Sequence, residues 1–150
     1  LSEIITSLDE KLFSELQNEK LVLLHTIDAD TGAPTSSAIS WVFAPNAETI
    51  RFAVDQRSRL VANVKANAKV SLTIFANNTV NIVYGQASIV VDALDEVPFK
   101  LACVDIHIDS VRDGMFYGSR ISVEPAYEKT YDKRAAEKLD SEVFAAMKKA

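Results

Sequence analysis

The 150-residue chain is 48% hydrophobic and 25% charged, a balance that suits one soluble globular domain and excludes a disordered chain. A chain of that length buries roughly 70% of its unfolded surface, while a net charge of −5 removes the electrostatic drive for nonspecific nucleic-acid binding. One cysteine, Cys103, excludes an internal disulfide and points to a reducing, cytoplasmic compartment. No apolar run approaches the ~18 residues of a membrane span, and the opening residue, Leu1 rather than methionine, leaves room for residues upstream.

In chain order, residues 7–18 read as a helix. Ser7 and Glu10 have capping-box spacing, and Ile5, Leu8, Leu12 and Leu16 line one face for core packing. Residues 21–27 form a continuous apolar run of central-strand length, and a turn at residues 28–32 follows, with Gly32 supplying positive φ. Residues 35–43 are the next expected strand. Ile39, Trp41 and Phe43 share one face with Ser37; Ser36, Ala38, Ser40 and Val42 share the other. Such small residues let something flat lie against the backbone while hydroxyls such as that of Ser40 hydrogen-bond to it; the same face also suits a close sheet-to-helix contact. Trp41 is the expected anchor of the core or of a subunit interface.

A hairpin loop at residues 44–48 leads into the segment around which the chain is organised, residues 50–72. Phe52 and Val54 alternate with Arg51 and Ala53 as in a strand, and from Leu60 the apolar positions Leu60, Val61 and Val64 change to helical spacing. Asp55 or Ser58 is placed to cap that helix. Arg57 and Arg59 sit at the same end, where the macrodipole is already positive, so two cations, a serine and free amides make a seat for a phosphate-like anion. The pattern equally describes two solvated arginines on a surface turn, and local sequence leaves both readings open.

Residues 70–76 are then a strand, Asn77 and Asn78 a tight turn, and residues 79–92 a long strand whose Gly85 marks a bulge, a bend or a close backbone approach. Residues 95–98 interrupt, residues 101–112 return as a strand, and residues 117–123 are placed as a short last one. An amphipathic helix over residues 132–149 closes the chain on Leu139, Val143 and Met147, with Lys133/Glu137 and Lys138/Glu142 as i,i+4 pairs. The order gives a small antiparallel barrel with helices outside it.

Several chemistries drop out. Two histidines, His25 and His107, and one cysteine are too few for a Cys/His zinc site. Asp105, His107 and Asp109 share a strand face but lie ~6.8 Å apart in succession, which reads as a solvated acidic face and not a metal site. No glycine-rich phosphate loop or nucleophile elbow is present. Cys103 reads as inert packing.

The segment over residues 50–72, followed by Val83-Tyr-Gly-Gln-Ala-Ser-Ile89, resembles the FMN-binding split barrel of pyridoxamine 5'-phosphate oxidase-like proteins, within the small bacterial branch that includes general-stress flavoproteins. The family's Phe-x-Thr, Ser-Arg-Lys and Asn-Pro-Arg-Val motifs have counterparts in Phe52-Ala-Val54, Ser58-Arg-Leu60 and Asn67-Ala-Lys-Val70, and its Gly-x-Ala in Gly85-Gln-Ala87. The likeness covers residues 20–112. It implies a mainly β fold, a six-stranded antiparallel split β-barrel with N-terminal and C-terminal helices packed outside, as one FMN-binding domain over residues 1–150. It also implies a homodimer, for which Trp41 and Phe43 are candidate interface residues.

The resemblance assigns Ala53 and Val54 as flavin neighbours and Ser58 and Arg59 as phosphate ligands, with Arg57 able to replace lost charge and Ser40 on the small-residue face beside them. Val54 stands where the family has a hydroxyl and Leu60 where it has a lysine, and each charge-assisted bond removed is worth about 1.5–3 kcal/mol. The family's true oxidases end in a tryptophan- and arginine-rich segment, whereas this chain ends in an Ala/Lys/Glu helix. The expectation is therefore an FMN-dependent oxidoreductase acting on a small molecule and not one that forms pyridoxal phosphate. The alternatives are a noncatalytic flavin-binding or stress-related module and a ligand-free interaction barrel. No residue stands out as a catalytic acid or base.

Overall fold

Seven antiparallel strands form one sheet in the order β2-β1-β5-β6-β7-β4-β3 in the computed structural model, which describes residues 4–150. The strands are β1 (Val22–Ile27), β2 (Pro34–Ile39), β3 (Val42–Asn46), β4 (Thr49–Asp55), β5 (Lys69–Ala76), β6 (Thr79–Val91) and β7 (Leu101–Asp113). Helices α1 (Glu10–Glu15), α2 (Arg59–Ala66) and α3 (Lys133–Lys149) flank them. The outermost strands of the sheet, β2 and β3, are joined directly through Ser40 and Trp41, so the sheet curls on itself without closing. This is a split barrel, mainly β with helices at both ends of the chain.

Strand alternation gives the sheet two differently used faces. Inward residues from six strands, among them Leu24, Val42, Phe52, Leu72, Val83 and Ile106, pack with Leu8, Leu12 and Leu16 and with Leu60, Val61 and Val64 of α2 into one core. On the outer face, Phe43, Ala53, Leu101 and Cys103 are covered by Val143, Ala146 and Met147 of α3. The Arg51 guanidinium closes that contact. It grips Asp105 with two bonds, Nε to Oδ1 at 2.6 Å and Nη2 to Oδ2 at 2.9 Å, while Nη1 donates to the carbonyls of Met147 and Ala150.

Where pattern and structure differ, the reasons are local. The expected strand over residues 35–43 is two strands, because the chain leaves one edge of the sheet at Ser40 and joins the other at Val42. That crossing resets the alternation. Ile39 packs on the inner core, while Trp41 and Phe43 face α3. The six strands of the expected barrel become seven for this reason, while residues 117–123, placed as a further short strand, form none. Asp9, not Ser7, caps α1, its Oδ1 accepting from Leu12 N–H at 2.8 Å. Ile5 leaves the helical stripe to bridge Val111.

Elsewhere the pattern is followed closely. Asn77 and Asn78 both take positive φ, 55° and 64°, as a two-residue hairpin turn requires. The β6–β7 register shifts at Gly85. Among the described residues, no helix is long and apolar enough to cross a membrane.

Candidate functional site

A cleft of about 480 Å³ opens where the end of β2, the β4–α2 corner and α3 converge. Ser37, Ala38, Ile39, Ser40 and Trp41 form one wall, and Ala53, Val54 and Asp55 of β4 form the floor. Ser58 and Leu60 bring the start of α2, while Lys129, Tyr131 and Asp140 arrive from the C-terminal region. The wall is positioned by the crossing between sheet edges, where Ala53 N–H donates to the Trp41 carbonyl at 3.0 Å. Four of the six residues singled out from sequence, Ser40, Ala53, Val54 and Ser58, therefore come together in one cleft.

Arg57 and Arg59 are not among its lining residues. Arg57 turns back on Asp55, donating from Nε and Nη2 at 3.3 Å, and is almost fully exposed. Those guanidinium bonds, with the Arg57 backbone N–H, hold the Asp55 carboxyl below its usual range. Arg59 reaches away to the β1–β2 turn, where Nη2 donates to Asp28 Oδ2 at 2.5 Å and lies 3.6 Å from Asp30. Asp28 is itself fixed, since its Oδ1 accepts from the N–H groups of Asp30 and Thr31 at 2.9 Å each. The Thr31 amide, the Arg59 guanidinium and the Asp30 amide together hold its carboxyl far below the ordinary range. Ser58, not Asp55, caps α2, its hydroxyl accepting from Leu60 N–H at 3.2 Å. Among the described residues the Ser58 hydroxyl has no acceptor for its own proton.

The far wall holds the residues that local sequence did not reveal. Trp41 Nε1 donates to Asp140 Oδ1 at 2.8 Å, across 99 positions. Lys129 donates to Glu19 at 2.8 Å and sits 3.3 Å from the other Asp140 oxygen. Burial pulls the Lys129 ammonium down, but its bonds to Glu19 and Asp140 outweigh this and keep it above the usual lysine range. Burial, followed by the bond to Glu19, pushes the neighbouring Tyr127 phenol up to about 12. The indole thus anchors α3 within the chain, and Phe43 is buried beneath the same helix in an edge-to-face contact with Phe144. Phe43 is accordingly not available as a surface contact. Asp105, which shares a strand face with His107, is engaged by Arg51.

The family model described as pyridoxamine 5'-phosphate oxidase matches residues 8–134. Among solved structures, General Stress Protein 26 from Bacillus anthracis is 17% identical, with 69% of this chain and 91% of that chain covered at a TM-score of 0.57. An FMN-binding protein from Syntrophomonas wolfei is 16% identical, with 71% and 83% covered at 0.52. An F420 reductase is 17% identical, with 66% and 94% covered at 0.55. At these identities the structural likeness is one of fold. None of the curated proteins matches the chain.

Proposed function

The chain belongs to the pyridoxamine 5'-phosphate oxidase family, and from that premise we propose that it is a flavoprotein that binds FMN in the cleft between β2, β4 and α2. The observation that carries this is the convergence of Ser40, Ala53, Val54 and Ser58 on one cleft from three separate elements. The residues fit such a group. Ala38 and Ala53 leave room beside the Trp41 ring and Leu60 for a flat heterocycle, and the Ser37 and Ser40 hydroxyls supply hydrogen bonds at its edge. Ser58 at the start of α2 has a proton to give to a phosphate, and Arg59, the next residue, is a cation that a phosphate would have to draw away from Asp28. When bound, FMN supplies the capacity to take up and pass on electrons.

The protein's part is to bind, orient and shield. An oxidoreductase acting on a small molecule is the function favoured, and pyridoxal phosphate formation is not, because the wall of the cleft opposite β2 is built from Lys129, Tyr131 and Asp140. A noncatalytic flavin binder is the second reading. It is supported by the engagement of the charged lining groups: Asp55 with Arg57, and Asp140 with Trp41 and Lys129. A homodimer completes the proposal. Leu23, Phe75, Ile82 and Tyr84 share the outer face of β1, β5 and β6 yet belong to neither core cluster, and a second copy would cover them.

The test is direct. Purified protein should be yellow, release FMN on denaturation and, once stripped, quench the fluorescence of added FMN. Colourless protein that quenches nothing would remove the flavin reading. Bleaching of bound flavin by a nicotinamide donor, with recolouring in air, would favour the enzyme over the binder.

A further inference from the structure

We propose that Asp28 is a built-in counter-anion for Arg59, and that it sets how strongly the cleft prefers a phosphorylated flavin over an unphosphorylated one. The inference rests on the flavin reading above and concerns one term of it, the recognition of the anionic tail. Arg59 lies between two cleft-lining residues, Ser58 and Leu60, yet its guanidinium is held outside the cleft by Asp28, with Asp30 next to it. A phosphate that recruits Arg59 must displace a carboxylate already in place.

That carboxylate is not a mobile surface group. Two backbone N–H groups fix its Oδ1, its own backbone N–H donates to the Ala33 carbonyl at 2.8 Å, and its carbonyl accepts from Gly32 N–H at 2.9 Å. The turn is tied to α2 as well. The buried Asn63 side chain accepts from Ala29 N–H at 2.9 Å and donates to Thr26 Oγ1 at 3.0 Å. The turn that carries Asp28 is therefore tied to the helix that carries Arg59, and the carboxylate is held within reach of the guanidinium. Of the residues that flank Arg59, Leu60 carries no charge and Arg57 pairs with Asp55, while the lysine of the cleft, Lys129, is held by Glu19 and Asp140. The Arg57–Asp55 pair is open to water on both sides and is weak, whereas Asp28 exposes only 11% of its side chain.

The experiment measures dissociation constants for FMN and for riboflavin by fluorescence quenching, using the full chain stripped of flavin. Asp28→Asn keeps an acceptor oxygen for the Asp30 and Thr31 amides and removes both the charge and the oxygen that accepts from Arg59. It should tighten FMN about tenfold, the scale of one charge-assisted hydrogen bond, and leave riboflavin unchanged. The gain should vanish in the Asp28→Asn/Arg59→Ala double variant, since it acts through Arg59. Asp30→Asn, more distant, should act in the same direction by a smaller factor and serves if the first variant does not fold. An FMN-to-riboflavin ratio equal to wild type in both variants would overturn the inference while leaving the flavin reading intact. A gain that survives removal of Arg59 would overturn it too. Wild-type protein that binds neither flavin would overturn both.

Discussion

At Gly85 the backbone of β6 passes so close to β7 that an added Cβ would lie 2.3 Å from the His107 carbonyl oxygen and 2.7 Å from Ile106 Cγ2. A carbonyl in a sheet ladder has nowhere to retreat, so Gly85→Ala should destabilise the fold by about 3 kcal/mol. Urea unfolding reads this as a lower midpoint at constant slope, and an unchanged midpoint would mean that the two strands part without strain. Cys103 illustrates a different use of burial. It sits beneath α3 with no exposed surface, and loss of water raises its thiol to about 11. The neutral thiol is the poor nucleophile, so native protein at pH 8 should leave a thiol-disulfide reagent unreacted and yield its single thiol only on denaturation. Because the folded chain keeps a proton that the unfolded chain releases above about 8.5, this group's contribution to stability falls as pH rises from there towards 11. Prompt reaction of the folded protein would show that α3 does not stay seated.

At the scale of elements, α3 depends on one side chain from a strand more than eighty positions earlier. Arg51 joins the last turn of α3 to Asp105 of β7, and both partners are largely shielded from water. Arg51→Ala should cost about 2 kcal/mol, less than a fully buried pair would because some water reaches it, and should loosen α3 before the sheet. Hydrogen exchange is the suitable measurement: amides of the last turn of α3 should exchange faster while those of β5 and β6 hold, and equal protection in wild type and variant would refute the link. Such long-range bonds explain what sequence could and could not convey. The hairpin of β5 and β6 was legible because period-two alternation and Asn77-Asn78 are local signals. The start of α2 was legible because Ser58 and the Leu60, Val61 and Val64 spacing lie within a single turn or two. The break at Ser40 was hidden because alternation continues through it in the sequence while the chain changes sheet edge in space. Lys129, Tyr131 and Asp140 were hidden because a cleft wall assembled from contacts 99 positions apart has no local pattern at all. The arginines were legible as cations but not as partners, since Asp28 stands 31 positions from Arg59.

For the whole molecule, the consequence of an unclosed sheet is that its two outermost strands meet only through the Ser40–Trp41 crossing and whatever bridges the cleft beside it. The Trp41–Asp140 hydrogen bond and the Asp140–Lys129–Glu19 contacts lie beside that seam. A ligand in the cleft would touch β2, β4, α2 and α3 together, so its binding energy should add to global stability and not merely to the rigidity of a loop. FMN at a hundredfold excess over its dissociation constant should contribute about 2.7 kcal/mol. For a chain of this length that corresponds to a rise in Tm of roughly 5–10 °C. Exchange protection should increase in β2 and α3 at once, although they lie almost a hundred positions apart. A rise in Tm without that joint protection would place the flavin elsewhere on the molecule. Joint protection without FMN's phosphate, given equally by riboflavin, would mean that the ring alone closes the seam and that the corner at Ser58 and Arg59 stays idle.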